Sequence, residues 1–484
     1  MIHTFSLNGY NIAVDGGSGS IHVLDEISFD ILRAMPDGTA HPAAFDEVVG
    51  RLKGAYPEDA IAEAYAEIKE LAESGLLFTP DGDIDGIIGK ERGRGLLKAL
   101  CLNVSHDCDL RCRYCFASKG DYKGGRKLMP AETAFKAVDF LLENSGNRRN
   151  VEIDFFGGEP LLNFETIRKT VAYGRETAEK AGKGIHFTVT TNGTLLDDEK
   201  TGFINGNMDN VVISIDGRKE VHDSMRCDRA GRGSYGRIVP SALKLVEERG
   251  GKSYFIRGTF TAKNLDFSRD VLHLADLGFG EISVEPVVGP GGWNKDAEGR
   301  LSGLECEEEE FYLTEEHIPA ILAEYERLAE ECLRRIGENR GFRFYHFNLN
   351  LYDGPCLYKR ITACGAGFEY LAVSPDGDLY PCHQFVGMNG FLMGDIYSGI
   401  KNEGLLEKFK GNSILTKAKC RECWAKLFCS GGCHANAYFT NGNIDVPNEL
   451  SCIMQKKRIE CAIMIEAARR DIIKPGFSGA GPLL

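Results

Sequence analysis

The stretch that decides the fold runs from Ser105 to Phe116 and reads Ser-His-Asp-Cys-Asp-Leu-Arg-Cys-Arg-Tyr-Cys-Phe. It carries three cysteines with the spacing C-x3-C-x2-C on one short loop, and these are Cys108, Cys112 and Cys115. Three thiolates on one loop can hold three irons of a [4Fe-4S] cube and leave the fourth iron open to a substrate. A zinc site is the alternative, and it would need a fourth ligand nearby, for which His106 is the candidate.

Length and composition describe a globular protein of several domains. The chain has 484 residues, too many for one ordinary core, which predicts about two to four domains. It contains no run of about 18 apolar residues, and its N-terminal residues lack the basic and apolar regions of a signal peptide. The sequence therefore predicts a cytoplasmic protein without a membrane partner.

Charge and cysteine content narrow the class further. A formal net charge of −14 argues against nucleic acid as the main partner, because phosphate binding needs a basic face. The 16 cysteines are not expected to form disulfides in the reducing cytosol, where clustered cysteines are more often metal ligands. The composition therefore favours metal or cluster binding.

The first 85 residues contain no cysteine and are predicted to form a separate small domain. Two strands are expected on either side of a Gly-rich turn, over Ile2–Val14 and Ile21–Leu24. A short helix is expected over 27–32 and an amphipathic helix over Ile61–Ser74. A hairpin followed by short helices is typical of a winged-helix-like module, whose edge strand could accept an extended peptide. The alternative is a folding cap on the next domain.

A polar, Gly-rich linker is predicted over Gly82–Gly95, and an α/β domain follows it. From Leu97 to about Pro290, apolar runs alternate with amphipathic stretches such as 130–144 and 163–181. Six strands are expected, at Ala99–Val104, Val151–Phe156, His186–Thr190, Val211–Ile215, Tyr254–Phe260 and Ile282–Pro286. Six strand–helix units predict a partial parallel (β/α)6 barrel, with its active site at the C-terminal ends of the strands. The cysteine loop follows the first strand and is expected at that face.

Small and polar residues stand near the ends of these predicted strands. The second strand is followed by Gly157, Gly158 and Glu159, and the next three carry Asn192, Ser214 and Arg257. Glycines let the backbone approach a bound group closely. Backbone carbonyls and a carboxylate such as that of Glu159 would suit a ligand that carries an ammonium group. Each motif is weak alone: Gly-Gly-Glu-Pro is also an ordinary turn, and Arg257 could form a surface ion pair. Loop capping is likewise an alternative for Asp216, His222, Asp223 and Arg226.

The C-terminal part of the chain carries a second cysteine set. Its eight members are Cys356, Cys364, Cys382, Cys420, Cys423, Cys429, Cys433 and Cys452. Four cysteines commonly hold one [4Fe-4S] cluster, so eight are enough for two. A zinc ribbon on the central four is the alternative, but it would leave the other four unused. The remaining cysteines have no such spacing and are expected to be buried or incidental, namely Cys101, Cys227, Cys306, Cys332 and Cys461.

The cysteine loop and the Gly-Gly-Glu-Pro motif resemble the radical S-adenosylmethionine (SAM) superfamily, and the C-terminal cysteine order resembles the SPASM domain. The opening residues Met1 to Ile12 and the stretch Pro381 to Phe385 resemble the maturases of SCIFF peptides, which belong with the sactipeptide and ranthipeptide synthases that form thioether cross-links. The resemblance covers nearly the whole chain. It implies a RiPP recognition element at 1–85, a radical SAM barrel at 96–320 and a SPASM domain at 350–470.

The resemblance also implies the cofactors and their ligands. Three [4Fe-4S] clusters and SAM are expected, with the first cluster on the Cys108 loop. The residues expected to contact SAM are Tyr114, Gly157, Gly158, Glu159, Asn192, Ser214 and Arg257. One auxiliary cluster is expected on Cys420, Cys423, Cys429 and Cys452, and the other on Cys364, Cys382 and Cys433. Cys356 either is the fourth ligand of the cluster on Cys364, Cys382 and Cys433, or it leaves one iron of that cluster free for a substrate thiolate.

By this resemblance the protein would split SAM into methionine and a 5′-deoxyadenosyl radical, which takes a hydrogen from an acceptor carbon of the peptide. A substrate cysteine would then bond to that carbon and pass one electron to an auxiliary cluster. The expected partners are a cysteine-rich precursor peptide, bound through its leader, and an electron donor such as flavodoxin or ferredoxin. Two alternatives remain: an anaerobic sulfatase maturase that makes formylglycine, and a non-catalytic iron-sulfur electron carrier.

Overall fold

A computed structural model describes residues 1–35, 41–80, 96–288, 294–295, 301–302, 309–351 and 361–473. The helices are α1 (Glu26–Arg33), α2 (Phe45–Leu52), α3 (Glu58–Glu73), α4 (Ala131–Asn144), α5 (Phe164–Lys180), α6 (Asp198–Asn207), α7 (Lys219–Met225), α8 (Tyr235–Glu247), α9 (Phe267–Asp276), α10 (Ile318–Gly337), α11 (Glu403–Gly411), α12 (Ala418–Arg421), α13 (Lys426–Cys429), α14 (His434–Asn441) and α15 (Glu449–Ile473). Within these ranges no helix is both long and apolar enough to cross a bilayer.

The strands form two substantial sheets and one short hairpin. They are β1 (Ile2–Leu7), β2 (Tyr10–Asp15), β3 (Ile21–Leu24), β4 (Ala99–Ser105), β5 (Asn150–Gly157), β6 (Gly184–Thr191), β7 (Asn210–Ser214), β8 (Ser253–Phe260), β9 (Glu281–Pro286), β10 (Asn294–Lys295), β11 (Leu301–Ser302), β12 (Arg343–Phe344), β13 (Tyr370–Val373), β14 (Asp378–Tyr380), β15 (Gly394–Asp395) and β16 (Gly399–Ile400). The predicted linker and Cys356 lie outside the described residues.

The N-terminal strands differ from the prediction in one respect. The expected single strand over Ile2–Val14 is two strands, β1 and β2, which pair antiparallel across Asn8 and Gly9. Both turn residues have positive φ, 49° and 80°, which is the conformation that an Asn-Gly hairpin turn requires. The prediction of one strand was therefore wrong, because Asn8-Gly9 is itself a hairpin-turn signal that divides the segment into two strands. The sheet has the order β1-β2-β3, α1 packs against it, and α3 packs against α1.

The N-terminal sheet also packs against the C-terminal part of the chain. Ile12, Val14 and Ile21 lie in the same apolar core as Trp424 and Met464, a residue of α15. At the surface of this contact the His3 ring stacks on Trp424 with centroids 4.0 Å apart, and His3 Nε2 lies 2.9 Å from the Glu460 carboxylate. The first 80 residues are therefore not a free appendage but share buried surface with the C-terminal helix.

The six predicted barrel strands are confirmed. Strands β4 to β9 form in the expected places, and each pairs parallel with the next, in the sheet order β9-β8-β7-β6-β5-β4. The apolar residues of these strands are almost fully buried, as expected for a parallel sheet covered by helices on its outer face. The chain therefore has the predicted α/β fold, with a curved parallel sheet at its centre.

The C-terminal segment extends this central sheet. Strand β13 pairs parallel with β4, and β14, β15 and β16 follow in antiparallel order, while β12 pairs with β9 at the other edge. The sheet thereby reaches eleven strands. Cys382, which follows β14, lies in one apolar cluster with Tyr122 and Cys115, so part of the second cysteine set packs near the first cysteine loop.

Candidate functional site

A cavity of about 210 Å³ opens at the C-terminal ends of the parallel strands, where the active site was predicted. Its wall contains all three cysteines of the first loop, and six of the seven residues predicted to contact SAM line it as well. These six are Tyr114, Gly157, Gly158, Asn192, Ser214 and Arg257. Tertiary structure thus brings together residues that lie up to 149 positions apart in the chain.

Cys108 is buried, Cys112 and Cys115 are partly buried, and none of the three thiols forms a disulfide. Burial raises the pKa of Cys112 to about 12, and it also raises the pKa of Cys108 and Cys115. Backbone N–H groups of residues 117, 119 and 120 oppose this effect at Cys115, since they stabilise its thiolate. Thiols with raised pKa values become thiolates at neutral pH when a metal binds them. The loop therefore suits a metal cluster rather than a free nucleophile.

Close backbone packing holds the loop against the second strand. A Cβ atom on Gly158 would lie 2.3 Å from the carbonyl oxygen of Asp107, and one on Gly157 would lie 2.2 Å from that of Ser105. On the other side, a Cβ on Gly120 would lie 2.6 Å from the Cβ of Cys108. Glycine is needed at these positions because no side chain fits between the loop and the strand.

Glu159 does not line the cavity. Its buried carboxylate accepts hydrogen bonds from the Asn192 N–H at 2.8 Å and from the Thr191 hydroxyl at 2.7 Å, and it also caps Leu161 N–H. Burial raises the pKa of Glu159 to about 7, although these hydrogen bonds act in the opposite direction. The Glu159 carboxylate thus connects the end of β5 to the end of β6 and positions Asn192.

Tyr114 belongs to a buried polar cluster on the opposite wall. Its hydroxyl donates to Asp216 Oδ2 at 2.6 Å, and Arg226 Nε donates to Asp216 Oδ1 at 3.0 Å. The Arg226 guanidinium also lies over the Tyr114 ring, 5.4 Å from its centroid. Asp216 and Arg226 are therefore more than loop caps, since they fix the aromatic side chain that borders the cysteine loop.

The polar wall continues along three neighbouring strands. Asn192 donates to Asp109 at 2.8 Å and lies 3.7 Å from the Cys108 sulfur, next to the loop. Ser214 on β7 is paired in register with Arg257 on β8, and both face the cavity. The wall thus offers amide, hydroxyl and guanidinium groups, which suit the hydroxyls and the carboxylate of a nucleoside amino acid such as SAM.

Among the cavity residues without a predicted role are Glu285 and His383. Glu285 at the end of β9 lies 3.1 Å from His346 Nε2, and His383 packs on Phe156. Burial raises the pKa of Glu285, but interactions with His346, Arg458 and Arg257 outweigh it and hold that pKa well below its usual range. The strand-end rule could have identified Glu285, because it directly precedes Pro286 at the predicted end of the sixth strand. No local sequence pattern could have identified His346 and Arg458 as its partners.

The described cysteines of the second set fall into two electrostatic neighbourhoods. Burial raises the pKa of Cys382, and the neighbouring thiols of Cys433 and Cys364 raise it further. Burial likewise raises the pKa of Cys452 to about 12, and its neighbours are Cys429, Cys420 and Cys423. The structure therefore brings together Cys364, Cys382 and Cys433 in one place and Cys420, Cys423, Cys429 and Cys452 in another.

One buried cation lies between these two neighbourhoods. Lys417 is only 4% exposed, and its ammonium donates to the Gly431 carbonyl at 3.0 Å. Burial lowers the pKa of Lys417, whereas the charges of Cys420, Cys429 and Cys433 raise it. An ammonium placed in this way stabilises thiolate ligands on both sides.

We expect Lys417→Met to lower the reduction potential of at least one auxiliary cluster. Reduction adds negative charge to the cluster, and the variant lacks the ammonium that would stabilise this charge. The shift should be on the order of 60 mV, which corresponds to about 1.4 kcal/mol for one electron. Redox titration followed by EPR measures it, with the exposed Lys408→Met as the matched control. Unchanged potentials in Lys417→Met would contradict the electrostatic role.

The loop cysteines and the polar wall share one cavity. In the described ranges, no group of three or more His, Cys, Asp or Glu side chains converges closely enough to hold one ion. A zinc ion needs four ligands within about 2.3 Å of one centre, whereas a cube places each thiolate on a different iron. Cys108, Cys112 and Cys115 line one cavity together with the polar wall, so the arrangement suits a cluster on the loop with SAM against the wall.

Comparison with known proteins agrees with this site. Residues 102–260 match the Radical SAM superfamily, and residues 364–424 match the SPASM iron-sulfur cluster-binding domain. The cysteine-type anaerobic sulfatase-maturating enzyme of Clostridium novyi (strain NT) is 25% identical over 371 residues, 72% of this chain and 91% of that protein.

Two solved structures share the fold. The structure of anSMEcpe with bound AdoMet superposes with a TM-score of 0.61 at 21% identity and covers 77% of this chain and 99% of its own. The structure of Streptococcus suis SuiB bound to the precursor peptide SuiA has a TM-score of 0.50 at 16% identity, with coverage of 93% and 98%.

The fold and the site define a radical SAM core joined to an iron-sulfur binding domain. This chain carries a radical SAM domain followed by a SPASM domain, so the resemblance predicted from its cysteine motifs is confirmed. Its cofactors are those of the two domains, SAM and iron-sulfur clusters, as expected.

Proposed function

We propose that this protein is a peptide maturase that forms thioether cross-links in a ribosomally made, cysteine-rich precursor peptide of the SCIFF type. The observation that carries the proposal is that one group of the second cysteine set lies next to the cavity that the loop cysteines line. His383 lines this cavity and directly follows Cys382, so a predicted auxiliary ligand adjoins the cavity wall. A peptide held in the cavity would reach both the SAM side and the auxiliary side.

The proposed ligands follow from these groupings. Cys108, Cys112 and Cys115 would hold the SAM-cleaving cluster, which supplies the electron that splits SAM when both are bound. Cys364, Cys382 and Cys433 would hold the nearer auxiliary cluster, together with Cys356 or a substrate thiolate. The other auxiliary cluster would use Cys420, Cys423, Cys429 and Cys452. The carrier alternative is disfavoured by the polar wall, which a protein without SAM would not need.

The chain's own residues would bind, orient and protect the reactants. Arg257 would pair with the SAM carboxylate, while Ser214 and Asn192 would hydrogen-bond its hydroxyls. Glu285 stays ionised because its pKa is held low, so it would accept hydrogen bonds from substrate N–H groups rather than take a proton. Phe116, Phe156 and His383 pack together along the auxiliary side and would exclude water.

The N-terminal residues support a peptide substrate with a leader. Similarity to SuiB, which was solved with its precursor peptide SuiA, extends over 93% of this chain, against 77% for anSMEcpe. The proposed recognition element, 1–85, offers a small sheet whose edge could pair with an extended leader. A sulfatase maturase remains the second candidate, because its sequence similarity covers 72% of this chain.

The product distinguishes the two activities. With SAM, a reductant and the precursor peptide, we expect each modification to remove two hydrogens while every sulfur is retained and one free thiol disappears. One hydrogen leaves with 5′-deoxyadenosine, and the thiol proton and one electron complete the balance. Tandem mass spectrometry and thiol counting measure this outcome. Loss of sulfur with a new aldehyde would instead identify formylglycine formation and contradict the thioether proposal.

We further expect the leader to govern peptide processing but not SAM cleavage. A bound leader holds the core peptide at an effective concentration on the order of mM, so the leaderless core should react slowly at low concentration. The measurement compares cross-linking of the full precursor and the leaderless core by the intact enzyme, with 5′-deoxyadenosine formation as the control. Equal rates for both peptides, with no leader binding by fluorescence anisotropy, would contradict the recognition role.

A further inference from the structure

The surface directly outside the cysteine loop is basic, although the chain as a whole carries a net charge of −14. We call this surface the basic rim, and it consists of Lys119, Lys123, Arg126, Lys127 and Arg229. All five residues are exposed, and four of them lie within nine consecutive positions. A patch of this sign on an acidic protein is an electrostatic signal for a negatively charged partner.

The acidic residues on the rim do not cancel its charge. Asp107 is shared by two guanidinium groups, from Arg126 at 3.2 Å and from Arg229 at 2.8 Å. Asp376 pairs with Lys127 at 2.6 Å, and Asp121 is the third carboxylate nearby. Among the described residues no carboxylate forms an ion pair with Lys119 or Lys123. Asp378 also interacts with Lys127, so five cations face four carboxylates, and the excess positive charge lies at Lys119 and Lys123.

The rim also lies directly on the cysteine loop. Arg229 donates a hydrogen bond to the Cys108 carbonyl at 3.1 Å, and Arg111 donates to the same carbonyl at 2.7 Å. The backbone of Gly120, in the rim segment, packs directly on the Cys108 side chain with no side chain between them. Because electron transfer through protein weakens steeply with distance, a carrier seated here would be favourably placed.

We propose that the basic rim is the docking site of an acidic, low-potential one-electron carrier protein. One electron would leave the reduced carrier, which is oxidised by one unit, and enter the iron-sulfur group held by the loop cysteines. No atom is transferred. This inference rests on the radical SAM function but not on the thioether chemistry.

Reduced flavodoxin is the probe, and the test compares it with dithionite, a small reductant that needs no docking surface. The variant Lys123→Glu/Arg126→Glu should lower kcat/KM for flavodoxin at least about tenfold, because steering charges raise association rates by about 10 to 10³. Dithionite-driven SAM cleavage should stay unchanged. The matched control Arg149→Glu/Lys169→Glu makes the same charge change on exposed residues, and Arg149 lies at the far end of the sheet, just before β5 begins.

Two further measurements make the result decisive. Stopped-flow absorbance, without SAM or peptide, follows reduction of the clusters by flavodoxin directly, and salt should slow it for the unmodified enzyme more than for the variant. An unchanged flavodoxin rate in Lys123→Glu/Arg126→Glu would overturn the docking site, and so would an equal loss with dithionite and flavodoxin. Failure to cross-link a precursor under dithionite would contradict the proposed function and leave these outcomes unaffected.

Discussion

Replacing Cys108, Cys112 and Cys115 together by Ala should abolish SAM cleavage while the auxiliary clusters remain. The three thiols lie on one loop that lines the cavity at the strand ends, and the described cysteines of the second set lie in separate neighbourhoods. Anaerobically reconstituted enzyme should carry roughly twelve irons, and the triple variant roughly eight, at four per cluster. Iron analysis, EPR and 5′-deoxyadenosine formation measure the two effects.

The matched controls are Cys332→Ala and Cys461→Ala. Both cysteines are buried on α10 and α15, which pack against each other, and neither cysteine lines the cavity. These variants should keep the full iron content and the SAM-cleaving rate. Residual SAM cleavage in the triple variant would overturn the assigned cluster, and about four irons with zinc in the unmodified protein would overturn the auxiliary clusters.

Gly158→Ala should slow SAM cleavage about 10²-fold. The added Cβ would lie 2.3 Å from the Asp107 carbonyl oxygen and 3.0 Å from that of Gly120, so the cysteine loop must move away from the strand. Backbone atoms cannot yield as a flexible side chain can, and a displacement of about 1 Å at a reactive centre costs about 10²-fold in rate. Single-turnover formation of 5′-deoxyadenosine under dithionite measures the effect.

Gly202→Ala is the control for this substitution. Gly202 lies on α6, and a Cβ there would meet no atom within 4 Å. The change should leave the rate intact and add slightly to stability, since Ala favours helix more than Gly does. If Gly158→Ala cleaved SAM as fast as Gly202→Ala, close packing of the loop would not be what positions the site.

Local patterns were sufficient for much of this architecture. Apolar runs of strand length between amphipathic helices predicted all six strands from β4 to β9, because burial on both faces leaves a clear signal in sequence. The one strand error, at Asn8 and Gly9, also had a local signal. The cysteine spacings predicted the first loop and the second set, since ligands on one loop must be close in sequence as well as in space.

Other parts of the site depend on contacts between distant segments. Glu285 owes its low pKa to His346 and Arg458, which lie 61 and 173 positions further along the chain. Lys417 can stabilise thiolates only because folding places it between two groups of cysteines. No periodicity or spacing encodes such neighbours, because the packing of whole elements decides them.

The sequence by itself determined the parallel sheet, the cysteine loop at its C-terminal edge and the iron-sulfur character of the chain, because each follows from spacing within a short segment. Only the tertiary structure decided that Glu159 turns away from the cavity and that the N-terminal sheet shares a core with α15. The same is true of the basic rim, where Arg229 joins the segment around Arg126 through a shared carboxylate. These features arise from surfaces that meet only when the chain is folded, and so they have no signature in any one stretch of sequence.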